Sequence, residues 1–198
     1  MRSMKSAPKP PHPLTRVISL ARTGPLSILL RVVDQTWRKM SGAPLWQLSE
    51  VSLQLYLGGQ HSVRGYRKMQ RRGISAIINM REERFSDVDA GIAGERHLHL
   101  PTIDNTPPTV ADLSRGAAFA SDEIARGGKV YIHCGVGVGR APTMVAAYLI
   151  STGLTPQDAL QEIKQVRPFV HLTAAQRAVL DEFAATWQER HGHAPCSG

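Results

Sequence analysis

Apolar residues recur along the chain in two registers. Val51, Leu53, Leu55 and Leu57 alternate with Ser52, Gln54 and Tyr56, the two-residue period of a half-buried strand, and Gly58-Gly59 follow as its stop. Ile74 to Met80 is a short apolar run that predicts a strand covered on both faces. Glu95 to Leu100 alternates again, with His97 and His99 on one side and Leu98 and Leu100 on the other, and Lys129 to Ile132 is a fourth strand-like run. Helical spacing fills the gaps. One helix runs through Val63, Tyr66, Lys68 and Met69 to near Gly73. A second, capped by Thr109 with Asp112, runs to about Arg126 and stops at Gly127-Gly128. A third starts at Arg140 with Pro142 in its first turn, a fourth is capped by Thr155 and runs to Val166, and a fifth is capped by Thr173 with Gln176 and passes Leu180, Phe183 and Trp187. Strands alternating with helices predict an α/β fold, a central mostly parallel sheet flanked by helices on both faces, with its site at the strands' carboxyl ends.

The ends read differently. Residues 1–13 hold four prolines and no apolar run, the composition of a disordered tail. Residues 14–45 form a basic, partly helical arm in which Leu14, Val17, Ile18, Leu26, Leu29, Leu30, Val33, Trp37 and Met40 keep helical spacing, broken at Gly24-Pro25. Arg22 and Arg31 leave only eight uncharged residues between them, too few to span a bilayer. Three readings of the arm stand: a helix packed on the domain, an amphipathic helix in peripheral contact with an anionic membrane, or an acid-poor targeting segment of the mitochondrial kind. The domain proper is expected over 46–190, with a flexible tail at 191–198. That tail carries His191, His193 and Cys196, read as a frayed terminus rather than a metal site.

Charge sharpens this division. The formal net charge is +8, but residues 1–40 hold eight Lys or Arg against one acid, Asp34, so the remaining chain is nearly neutral. A basic nucleic-acid-binding face on the domain is not expected. Two distant cysteines, Cys134 and Cys196, argue against a disulfide framework and suit a reducing, cytoplasmic setting. His97 and His99 lack the cysteine or carboxylate neighbours that a metal site needs. The polar stretch Arg81-Glu82-Glu83-Arg84 reads as a solvated face, although it lies at the end of a strand, where sites collect.

The candidate chemistry lies in His133-Cys134-Gly135-Val136-Gly137-Val138-Gly139-Arg140, between a strand and a helix. Glycines that let amides turn inward, plus a helix N-terminus, make an anion pocket. The spacing lacks the lysine of a nucleotide-binding P-loop and does not match a dinucleotide fingerprint. It suits phosphate-monoester hydrolysis, with Cys134 as a thiolate nucleophile favoured by the amides and Arg140. Arg140 forks onto two phosphoryl oxygens, and the amides of Gly135, Val136, Gly137, Val138, Gly139 and Arg140 hold the others. His133 orients the loop through backbone hydrogen bonds. Asp104, on a proline-stiffened loop, is either the acid that protonates the leaving group or a turn former.

The motif His-Cys-x-x-Gly-x-x-Arg resembles the signature of cysteine-based protein phosphatases. Leu55-Tyr56-Leu57-Gly58-Gly59-Gln60, Ile77 to Glu82, the Asp104 loop and Val166-Arg167-Pro168 resemble landmarks of the dual-specificity branch over residues 46 to 187. The resemblance implies Asp104 as general acid, no metal or other cofactor, and a phosphorylated protein as substrate. Ala141 to Ile150, Glu82-Glu83 and His171-Leu172 are similar to phosphatases of the phosphatidylglycerophosphate type, which implies a phospholipid alternative. Val136 and Val138 stand where inositol-lipid phosphatases carry basic residues, and Arg84-Phe85 departs from the expected continuation of the paired glutamates. A further departure is Ala141, where the family carries the Ser or Thr whose hydroxyl stabilises the departing thiolate. An inactive phosphate-binding module is the remaining reading.

Overall fold

The computed structural model describes residues 25–83, 91–92 and 96–191. The proline-rich tail, the first part of the arm, Arg84-Phe85 and residues 192–198 with Cys196 lie outside the described residues. Four strands, β1 (Leu55–Gly59), β2 (Ile74–Arg81), β3 (Arg96–Thr102) and β4 (Lys129–Cys134), form one sheet in the order β1-β4-β2-β3. Every pairing is parallel, with Gly59 opposite Cys134 and Asn79 opposite His133 at the carboxyl end. The helices are α1 (Pro25–Ser41), α2 (Val63–Arg71), α3 (Val110–Ala125), α4 (Arg140–Ser151), α5 (Pro156–Val166) and α6 (Ala174–His191).

Alternate residues of each strand feed different cores. Leu55, Leu57, Ala76, Ile78, Met80, Val130 and Ile132 join the large cluster beneath α3–α6, whereas Tyr56, Ile74, Ile77 and Tyr131 join Met69 of α2 on the other face. Two apolar faces explain why β2 reads as an apolar run rather than as a strict alternation. The predicted caps form: the hydroxyls of Thr109 and Thr155 each accept the N–H three residues on, and Thr173 and Gln176 cap one another.

The first strand departs from its expected bounds. Val51 to Gln54 form a turn, because the Ser52 hydroxyl accepts the N–H groups of Gln54 and Leu55, while Val51 and Ser52 donate back to the Leu55 carbonyl. All five β1 residues are buried, so the strand is not half-buried. Gly58 and Gly59 complete it rather than end it. A Cβ on Gly58 would fall 2.3 Å from the Tyr131 hydroxyl, and one on Gly59 would fall 2.6 Å from the Arg38 guanidinium carbon.

The described part of the arm, α1, packs on the domain, but by its polar side. Asp34 and Ser41 are buried, Arg38 is half-buried, and Leu30 meets the small cluster around Leu48 and Phe169.

Candidate active site

The loop from Cys134 to Arg140 joins β4 to α4, and each carbonyl between Gly135 and Gly139 is held by a donor. Gly135 O accepts from Arg38 Nη1 (3.2 Å) and Gln60 N (3.1 Å). Val136 O and Gly137 O accept from Arg167, at 3.0 Å from Nη2 and 2.7 Å from Nε. Val138 O accepts from His171 N (3.0 Å), and Gly139 O accepts from Thr143 N (3.0 Å) and the Thr143 hydroxyl (2.9 Å). In a trans peptide the N–H points opposite to the carbonyl, so each tether turns the amide of the next residue away from its donor. The Gly137 N–H donates to Cys134 Sγ at 3.2 Å. Gly137 itself sits at φ +79°, and a Cβ there would strike the Gly58 carbonyl at 2.5 Å, so glycine is required twice over.

Arg140 is almost wholly buried, and three hydrogen bonds and one further ion pair hold its guanidinium. Nη1 donates to Thr102 O (2.9 Å) and Glu83 Oε2 (3.1 Å), and Nη2 to Glu83 Oε1 (2.8 Å) with Asp104 Oδ1 at 3.1 Å. Nε is buried without an acceptor. Burial works against the charge of Arg140, yet the hydrogen bonds to Glu83, and the charges of Glu83 and Asp104, hold its pKa above the ordinary arginine value. In return, the hydrogen bonds from Arg140 hold the Glu83 carboxyl down to about 2.

Asp104 is 67% exposed and lies at a turn in which Asn105 takes φ +62° and Thr106 N donates to Ile103 O. The turn-forming reading of Asp104 holds, and the same turn delivers its carboxylate to Arg140. Buried Gln176 fixes the turn by donating to Thr106 O at 3.0 Å. His133 lies fully buried beneath the loop, its Nδ1 3.4 Å from Cys134 O and its ring stacked on Tyr131 at 5.7 Å. Above the loop is a cavity of about 370 Å³, lined by Cys134, Arg140, Asp104, Glu83, Arg31 and His171 among others.

The loop's rear support went unread in the sequence. Fully buried Arg167 also donates to Leu48 O (2.9 Å) and forms a two-pronged pair with buried Asp34, at 2.8 and 3.4 Å. Asp34 was detectable as the one acid among eight basic residues in the first forty. Glu83 corrects the solvated-face reading of the 81–84 stretch, because it sits at the end of β2 facing Arg140. His97 and His99 belong to no metal cluster among the described residues; His99 Nε2 lies 2.6 Å from Arg81 O.

A parallel sheet whose central strand ends in a Cys-x5-Arg loop, with its carbonyls tied outward and the Gly137 N–H on the thiol, defines the cysteine-phosphatase fold. The dual specificity phosphatase catalytic domain profile matches residues 55–186, and the chain belongs to that family. The human phosphatidylglycerophosphatase and protein-tyrosine phosphatase 1 is 37% identical over 123 residues, 58% of this chain and 61% of that protein. Rat dual specificity protein phosphatase 12 is 30% identical, over 72% of this chain and 42% of its own length. A crystal structure of PTPMT1 in complex with PI(5)P superposes with a TM-score of 0.66 at 32% identity, covering 71% of this chain and 96% of that one. The chain thus spans about three fifths of the human relative.

Proposed function

We propose that this chain hydrolyses phosphate monoesters through a cysteinyl-phosphate. Cys134 Sγ attacks phosphorus and the ester P–O bond breaks. Asp104 releases Arg140, takes up a proton from solvent water, and gives that proton to the leaving oxygen. Water then attacks phosphorus, the S–P bond breaks, and Asp104 takes the water's proton as inorganic phosphate leaves. Arg140 receives phosphoryl oxygens through Nε and an Nη2 vacated by Asp104, and the amides of residues 136–140 hold the rest. The observation that carries this reading is the set of outward-tied carbonyls around Cys134. Cys134→Ser should cut turnover of an aryl phosphate at least about a thousandfold while vanadate still binds; unchanged turnover would sink the proposal.

A phosphorylated protein is the substrate we put first. A phosphatidylglycerophosphate-like lipid is the second reading, favoured by Arg31, which brings a basic side chain from α1 to the pocket wall, and by the similarity to the phosphatidylglycerophosphatase. Turnover on phosphotyrosyl peptides against the lipid separates the two.

Ala141 is fully buried in the first turn of α4, and the Thr143 hydroxyl two residues on is committed to Gly139 O. Neither residue supplies a free hydroxyl for the departing thiolate. Losing a hydrogen bond to a charged group costs about 1–3 kcal/mol, which slows breakdown of the phosphoenzyme about tenfold or more. Stopped-flow turnover should show a burst, and Ala141→Ser should raise kcat; no burst together with an unchanged kcat would refute this step.

A further inference from the structure

Helix α1 has its polarity inverted. A helix on a globular surface ordinarily turns its apolar stripe to the core. Here Asp34, Arg38 and Ser41 face the domain, because Arg167 and the loop carbonyls require polar partners. The apolar stripe consequently points outward. Ile28 and Val32 lie four residues apart, beside Leu29, Val33, Trp37 and Met40 at spacings of four, four and three, all of them exposed and Met40 at 74%. The single acid of the helix is consumed by Arg167, so its exposed charges are Arg31 and Lys39, both positive.

This stripe adjoins the catalytic mouth. Ile28 and Arg31 line a cavity of about 270 Å³ together with Lys164 and His171, and Arg31 and His171 continue into the pocket over Cys134. A second copy of the chain is a poor occupant, since a two-fold pairing along the stripe would bring Arg31 and Lys39 of both copies together without an acid between them. No helix among the described residues is long and apolar enough to cross a membrane. An apolar stripe flanked only by cations matches a bilayer surface with anionic headgroups.

We propose that the outer face of α1 docks on an anionic phospholipid bilayer. The helix lies in the interface, with Ile28, Leu29, Val32, Val33, Trp37 and Met40 among the upper acyl carbons and Arg31 and Lys39 at the headgroup phosphates. The pocket mouth is then held at the membrane surface. Docking stands independently of the hydrolytic reading, since it uses no atom of Cys134.

The test is co-sedimentation of the full chain with vesicles of phosphatidylcholine alone or mixed with phosphatidylglycerol. Its comparison is the full chain carrying Val32→Asp and Met40→Asp, so that the basic residues before α1 are the same in both proteins. The wild type should partition onto the mixed vesicles, and the double variant should lose about tenfold or more of that affinity with hydrolysis of a soluble aryl phosphate unchanged. Equal partitioning of the two proteins, or a wild type that ignores the mixed vesicles, would overturn the proposal. So would a wild-type dimer that the double variant converts to monomer without any vesicle binding.

Discussion

Two arginine–carboxylate pairs flank the phosphate loop, built from the same chemistry and put to opposite uses. Behind the loop, Arg167 meets Asp34 with both side chains essentially inaccessible, and its remaining donors tie the Leu48, Val136 and Gly137 carbonyls. In front, Arg140 is just as buried, but its partners Glu83 and Asp104 are 40% and 67% exposed. Water and ligands reach the front carboxylates and not the rear one. A pair sealed on both sides acts as a fixed pin, whereas under the proposed function the pair open on its acidic side exchanges a carboxylate for a phosphate. The rear guanidinium ties two of the five loop carbonyls, those of Val136 and Gly137, and so helps set the direction of the amides that follow them.

The largest effect should come from breaking the sealed pair. Asp34→Ala leaves Arg167 charged and buried without its counter-ion, which should cost about 3–5 kcal/mol of stability, read from urea unfolding. A loss under about 1 kcal/mol would mean that Arg167 is satisfied by carbonyls alone. Arg140→Lys tests the open pair and should give the converse. The ammonium can still pair with Glu83, so stability should change little, but the planar fork is gone. Losing charged hydrogen bonds worth about 1.5–3 kcal/mol should lower kcat/KM roughly tenfold to a hundredfold. A destabilisation matching that of Asp34→Ala would erase the distinction between the two pairs.

The strand–helix alternation, the parallel sheet and the caps at Thr109, Thr155 and Thr173 were legible in the sequence because each rests on local spacing. So was the association of Cys134 with Arg140, fixed by five intervening residues on one loop. The start of β1 was not, because a serine-held turn at Ser52 mimics strand alternation. The roles of Glu83 and Asp34 escaped for a different reason. Each gains its meaning from an arginine 57 or 133 residues away, and no local period encodes that. The inverted polarity of α1 follows from the same distant demand: apolar spacing announced a helix, but Arg167 decided which side of it faces in.

The smallest predicted effect concerns the pH response of the open pair. Glu83 has its folded pKa lowered from 4.5 to about 2, chiefly by hydrogen bonds from Arg140. A depressed carboxyl stabilises the fold above its unfolded pKa and loses that contribution as pH falls toward the folded one. The window is therefore about pH 4.5 down to about 2. Because the side chain is 40% exposed, solvent and salt screen the pair, and about 1 kcal/mol or less should be at stake. Glu83→Gln should be less stable than the wild type at pH 6 by that amount. The gap should narrow steadily as the pH drops below about 4.5, and shrink at pH 6 when salt is added. Unfolding free energies of both proteins across this range check the expectation. A gap that stays constant with pH and salt would show that Glu83 is held by packing rather than by charge, and would make the front pair as fixed as the rear one.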